Sequence, residues 1–207
     1  MQYVLYREGS IIRKGEKTKQ HVIEQTSLLL NRRGYLSTTL SEITDATGLQ
    51  KGGLYNHFRD KEELSLASFR HNCAALGEYV YRAAEEAGPN AVDRLLAYLT
   101  AYCRVDYPGG CPIANMASET RFVSEPLFLQ AKEAMDDVLR FTEETIRTGI
   151  ANREIRPEVD ARDASLFIFS MVEGAILMHK LYPDAISMLL ERITRYVNAE
   201  LRLQVLS

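Results

Sequence analysis

The sequence predicts an all-α protein of about nine helices, and three observations carry that prediction. Apolar residues recur at three-to-four spacing almost throughout the chain, while Gly, Pro and capping residues punctuate it at helix-length intervals. No segment shows the strict apolar–polar alternation of a half-buried strand. The 207 residues are 46% hydrophobic and 26% charged, a globular composition that is neither disordered nor collagenous. The length allows one large unit or a small module joined to a bigger one.

Taken in order, Val22, Thr26, Leu29, Leu30 and Arg33 mark a first helix from about residue 16 to Gly34, a residue free to take the left-handed conformation of a helix end. Thr39-Leu40-Ser41-Glu42 reads as a capping box opening a short helix over about 40–47 that stops at Gly48. A second short helix is expected over 51–58. Asp60-Lys61-Glu62-Glu63 then repeats the cap-plus-Glu pattern and opens a long helix through Leu64, Ala67, Ala74 and Val80, ending near Gly88-Pro89. Further helices are expected over about 90–105 and 113–122, with Pro108-Gly109-Gly110-Cys111-Pro112 as the breaker between them. Phe128, Ala131, Met135, Val138, Leu139, Thr142, Ile146 and Ile150 mark one face of a longer helix that starts after Pro126 and ends at Asn152 to Pro157. The last two, about 161–181 and 184–203, are separated by Tyr182-Pro183-Asp184.

Cys73, Cys103 and Cys111 form an odd, sparse set without a CxxC pair, which argues against a disulfide scaffold and a zinc cluster and fits a reducing compartment. The four histidines lack HxxE or HExxH spacing, so no metal site and no cofactor is expected. The apolar run Tyr3-Val4-Leu5-Tyr6 is shorter than the roughly 7 to 15 residues of a signal-peptide core. The stretch Leu166 to Met178 is broken by Ser170, Glu173 and Gly174 and is shorter than the roughly 18 residues of a membrane span. A cytoplasmic chain with no membrane partner is the expectation.

The two short helices joined by Gly48-Leu49-Gln50 have the dimensions of a helix-turn-helix. Lys51, Tyr55, Asn56 and His57 place hydrogen-bonding groups on half of the second helix, and Leu54 and Phe58 are left to pack on Val22, Leu29, Leu40 and Ile43. The alternative is a solvated helix face on a protein that binds no DNA. In sequence, Thr38-Thr39-Leu40-Ser41-Glu42-Ile43, Gly48-Leu49-Gln50-Lys51-Gly52-Gly53-Leu54-Tyr55-Asn56-His57-Phe58 and Lys61-Glu62-Glu63-Leu64 resemble the N-terminal signature of the TetR/AcrR family of transcriptional regulators.

The resemblance implies a helix-turn-helix DNA-binding domain at 13–61 and an effector-binding and dimerisation domain at 62–207; residues 1–12 are expected to form a flexible arm, as chain termini often do. It implies that 51–58 lies in the major groove with Lys51, Gly52, Gly53, Tyr55, Asn56 and His57 toward DNA. Lys51 and Asn56 would read bases, as Lys donates to guanine and Asn pairs with adenine. Tyr55, His57, Lys61, Thr39 and Ser41 would hold the sugar-phosphate backbone. Gln50 departs from the Ser or Thr cap usual in the family, and Thr44 stands where Ala is usual.

For the larger domain, 166–178 is apolar nearly all round, as expected of a helix buried on two sides, and the last helix has a matching apolar face; the resemblance implies that they form a four-helix bundle, two helices from each protomer, about a two-fold axis. Leu166, Phe169, Val172, Gly174, Ala175, Ile186, Leu189, Ile193 and Val197 are its expected members; the alternative is a core helix pair in a monomer. Tyr98, Tyr102, Cys111, Phe122, Phe128, Met135, Phe169, Glu173 and Met178 are candidates for an effector pocket, although aromatic and Met residues at helical spacing serve packing first. Cys111, with Cys103 as resolving partner, can be read as a thiol sensor or, more simply, as a small packing residue.

The functional expectation is a homodimeric repressor that binds a near-palindromic double-stranded DNA operator and is released by a small-molecule effector. The rival is a helical ligand-binding or redox-sensing protein without sequence-specific DNA binding. An enzyme is not expected, for want of a nucleophile–base pair, paired carboxylates or a metal site. The net charge of -3, from 25 Lys and Arg against 28 Asp and Glu, looks unfavourable for nucleic acid. It is an average: residues 13–61 hold nine basic against five acidic groups, a net +4, and the rest of the chain carries -7.

Overall fold

The computed structural model describes residues 14–105 and 107–204, so the arm expected at 1–12 lies outside the described residues. Nine α-helices follow one another among them: α1 (Lys14–Arg33), α2 (Leu40–Thr47), α3 (Lys51–Tyr55), α4 (Lys61–Glu86), α5 (Ala91–Arg104), α6 (Pro112–Thr120), α7 (Glu125–Ala151), α8 (Ala161–His179) and α9 (Ala185–Tyr196). The all-α prediction agrees with this architecture.

Local chemistry explains most boundaries. Gly34 adopts φ 91° and its N–H donates to the Leu30 carbonyl, closing α1. The Thr39 hydroxyl accepts from Glu42 N–H while the Glu42 carboxylate accepts from Thr39 N–H, satisfying two donors that a helix start leaves free. Glu42 also receives the Arg33 guanidinium, tying α1 to α2. Gly48 ends α2 at φ 68°.

Helix α3 is shorter than the 51–58 expected. Gln50 makes no side-chain cap bond and two of the five residues are glycines, which are poor helix formers. His57 and Phe58 instead close a turn by donating to the Leu54 carbonyl. Asp60 caps α4 by accepting from Glu63 N–H, but the Glu63 carboxylate reaches Arg59 N–H, one residue farther back than in a capping box. Helix α7 begins at Glu125, before Pro126, because proline is suited to a first turn where no N–H is needed and Ser124 supplies the cap. Helix α9 gives way at Val197 to a wider turn through Leu201, after which Arg156 N–H bonds the Leu201 carbonyl and Leu203 N–H bonds that of Glu154.

Two apolar clusters result. The small one gathers Val22, Ile43, Leu54, Phe58 and Leu64, edged by Ile23, Leu29, Leu40, Leu49 and Ala67, which is the packing expected for the helix-turn-helix. The large one lies among the rest of α4 and α5–α9, with Tyr81, Tyr98, Tyr102, Phe141 and Phe169 at its centre in ring contacts 4.7–6.1 Å between centroids. Helix α4 serves both, giving Leu64 to the small cluster and Phe69, Leu76, Val80 and Ala84 to the large. No helix among the described residues is long and apolar enough to cross a membrane.

Candidate nucleic-acid interface and a neighbouring cleft

Leu54 and Phe58 fix one side of the α3 segment in the small core, and this leaves Lys51, Gly52, Tyr55 and Asn56 exposed together on the other. The Lys51 ammonium lies 5.9 Å from the centre of the Tyr55 ring, one turn away. A side chain at Gly52 would enter open space, so the helix start is free to approach a flat or concave partner. Gly53 is half-buried, its missing Cβ facing the Leu49 side chain, and His57 is half-buried too. Thr39 and Ser41 are exposed at the start of α2, but the Thr39 hydroxyl is engaged in its cap; Thr44 donates to the Ser41 carbonyl.

Lys61 differs from the exposed cation the sequence suggested. Its ammonium donates to the Tyr35 carbonyl at 2.6 Å and sits 4.5 Å over the Tyr35 ring, and partial burial pushes its pKa down while Glu119 pulls the other way. The reason is the return of the 34–39 loop across the start of α4, a contact 26 positions apart in the chain.

The larger part of the molecule grips this unit through buried polar side chains. Asn31, near the end of α1, donates from Nδ2 to the carbonyls of Pro108 (2.5 Å) and Gly110 (2.9 Å). Gly109, at φ 92°, lies so close that any side chain there would run into the Asn31 carbonyl. Asn115 donates to Gly109 and to Asn31, and Lys180 donates to Asn115 Oδ1 at 3.2 Å. The Tyr107 hydroxyl donates to Asn72 on α4, which in turn donates to the Ser27 carbonyl of α1. Glu119 accepts from Leu36 N–H, and Ser124 donates to Glu62. Sequence reasoning missed this set; the available signal was Asn31 and Asn72 on otherwise apolar helix faces, where a buried amide needs partners.

Val105, Tyr107 and Gly109 to Pro112 of the same connection wall a cleft of about 710 Å³ whose other sides come from the end of α1, α4, the end of α5 and the α8–α9 junction. Of the pocket candidates, Tyr102 and Cys111 stand on its wall. Tyr98 and Phe169 are instead packed in the aromatic core, and Met135 packs against the same cluster. Phe122 is 94% exposed, and it and Phe128 flank the Arg121 guanidinium away from the cleft. Met178 is half-buried and off the wall, and Glu173 stands behind Cys111, hydrogen-bonded to its thiol. Periodicity could not separate these fates because core and cleft residues share the same spacing.

Burial governs the titratable groups here. It pushes the thiols of Cys73 and Cys103 up to about 12 and that of Cys111 higher still, which disfavours the thiolate form. It also raises the Glu173 carboxyl, whose Oε1 has no hydrogen-bond partner among the described residues. Among the described residues no group of three His, Cys, Asp or Glu is placed to hold a metal ion.

The expected interface residues divide. Leu166 is exposed, and Gly174, Ile186 and Leu189 are half-buried. Phe169, Val172, Ala175, Ile193 and Val197 are 0–2% exposed inside the chain's own core, because the helical period turns them inward. The exposed large apolar residues of this region are Leu166, Phe167 and Leu177 on α8, Leu181 after it, Tyr182, and Met188 on α9.

Comparison with known proteins addresses the same two units. Residues 22–67 match the family described as bacterial regulatory proteins, tetR family, and residues 90–197 the tetracyclin repressor-like C-terminal domain. A solved TetR transcriptional regulator from Chloroflexus aurantiacus J-10-fl is 33% identical, with a TM-score of 0.87 over 93% of this chain and 100% of that one. A TetR-family regulator from Cytophaga hutchinsonii is 27% identical, with a TM-score of 0.87 over 95% and 100%. The HTH-type transcriptional repressor DhaR of Mycobacterium sp. (strain GP1) is 26% identical over 167 residues, 79% of this chain and 82% of the relative. The chain with the α2–α3 face and the helical body that grips it therefore belongs to the TetR/AcrR family of helix-turn-helix DNA-binding transcriptional regulators.

Proposed function

We propose that this protein is a homodimeric repressor that covers a near-palindromic operator and leaves it when a small effector enters the cleft. The observation that carries the reading is the double use of the 107–115 segment: it walls the cleft and also holds Asn31 of α1 and Asn72 of α4. A ligand that repositions this segment changes how the α1–α3 unit is seated. Two copies of α3 must enter successive major grooves about 34–36 Å apart, so a small rotation of each unit removes the fit. The effector binds the DNA-incompetent arrangement better, and the coupling is reciprocal.

Dimerisation uses the exposed apolar side chains Leu166, Phe167 and Leu177 of α8, Leu181 after it and Met188 of α9, which gain by leaving water. Lys51 and Asn56 read bases. Tyr55, His57, Thr39, Ser41 and the two remaining donors of Lys61 meet phosphate, with Gly52 and Gly53 allowing approach. Repression is also what the name of the Mycobacterium relative states. The protein acts in the cytoplasm, where its operator is.

Selection of bound fragments from genomic DNA, followed by gel shift against random duplex, tests the reading. A preferred inverted repeat is expected, with Lys51→Ala and Asn56→Ala changing base preference and Lys61→Ala weakening all sequences together with a flatter salt slope. Equal competition by random duplex overturns sequence-specific regulation and leaves a ligand-binding protein.

A further inference from the structure

The cleft is asymmetric in charge. Arg32 from the end of α1, Arg104 from the end of α5 and Lys180 after α8 stand on its wall together with His179, and among the described residues no Asp or Glu does. Arg32, Arg104 and Lys180 form no ion pair with another described residue, and the hydrogen bond of Lys180 goes to a neutral amide. Between these cations the wall is apolar, with Leu76, Val105, Ile176 and Ile186.

We propose that the effector is an organic anion, an acid group on an apolar body of one or two rings, with its charge met by Arg32, Arg104 and Lys180. This rests on the reading of the cleft as the effector site. The volume suits a ligand of that size, since small-molecule sites run to roughly 300–1,000 Å³. The apolar body gains burial against the aliphatic wall, and an acid group supplies the counter-charge that no described residue of this wall provides.

The neighbouring acid, Glu173, is not on the wall; burial raises its carboxyl pKa, while Cys111 and the nearby Lys180 pull it the other way. Arg32 adds a consequence: it belongs to α1 and is adjacent to Asn31, whose side chain the 108–110 carbonyls hold. An anion bridging Arg32 to Arg104 or Lys180 draws the end of α1 toward the larger domain. The charge of the ligand is thereby the handle that moves the DNA-binding unit.

The chain has no tryptophan, so Ser187→Trp on the cleft wall introduces a single indole reporter into the full-length protein. The probes are 8-anilinonaphthalene-1-sulfonate, an anion, and N-phenyl-1-naphthylamine, a neutral molecule with a similar ring system. Saturable indole quenching by the sulfonate is expected. In the Ser187→Trp background, Arg32→Gln with Lys180→Gln should weaken sulfonate binding at least tenfold, leave the neutral probe within twofold, and recover sulfonate binding when Arg32→Lys replaces Arg32→Gln. Both residues are exposed, so folding is retained and is checked by circular dichroism. Excess sulfonate should release operator from the parent and not from the double variant. Equal effects on both probes overturn the charge inference while leaving the cleft as a ligand site. Absence of quenching by either probe overturns the cleft as the effector site, and this inference with it.

Discussion

Around Val22, Ile43, Leu54, Phe58 and Leu64 the chain builds a core from α1, the start of α4 and two helices of eight and five residues. Beyond Phe69 the long α4, α5, α7 and α8 enclose a connected group of aromatic rings. The large cluster positions its own elements by buried area. The small one cannot do so fully: α3 lacks a side-chain cap, and the orientation of the whole unit depends on Asn31, Asn72, Glu119 and Glu62 meeting partners from the other region. Apart from the shared helix α4 and its packing on α1, the join between the two regions is made by these polar contacts, which exchange for water at less cost than a broad apolar face does.

The sharpest way to break this comparison is Phe58→Ala. The side chain is 3% exposed, so its loss should cost about 3–5 kcal/mol, mostly from the small cluster. Hydrogen exchange should then show α1–α3 amides losing protection while α5 and α7 keep theirs; equal loss in both would mean that the clusters unfold as one. Asn31→Ala comes next. It removes the Nδ2 donor from the Pro108 and Gly110 carbonyls, a cost of about 1–3 kcal/mol in thermal or denaturant unfolding. Its diagnostic effect is on coupling: operator affinity should change only a few fold, whereas release by effector in gel shift should be lost. Retained release would place the coupling elsewhere.

Smaller effects refine the two ends. Gln50→Ser supplies the missing cap of α3 and should add about 1 kcal/mol to the stability of the small unit, read from denaturant midpoints. Glu173→Gln probes the large region. Burial raises the folded pKa of Glu173 above the ordinary 4.5, so its cost is absent below that value and appears as pH rises through the folded pKa. The variant should therefore melt higher at pH 7, by roughly 2 °C. At pH 4 the two proteins should melt together.

Much of the small unit was legible because its signals are local. The Thr39–Glu42 box, the turn at Gly48, the Asp60 cap and the packing of Leu54 and Phe58 each involve residues within a few positions or on one helical face. The length of α3 was not, since a pattern of polar and apolar positions does not register how weakly two glycines and Gln50 support a second turn. In α8 the apolar residues cover nearly the whole circumference, so the pattern could not say that Phe169 and Val172 turn inward and Leu166 and Phe167 outward. The packing of α5, α7 and α9 against α8 made that choice.

By itself the sequence determined that the chain is helical, where most helices begin and end, and which short segment presents donors outward, because these depend on backbone capping and on the period of a single helix. The tertiary structure decided the seating of Lys61 against Tyr35, the clasp on Asn31 and the basic wall of Arg32, Arg104 and Lys180. Each brings together groups 26 to 148 positions apart, and contacts of that kind leave no periodic trace along a single chain: they exist only once the apolar faces have chosen which way to turn.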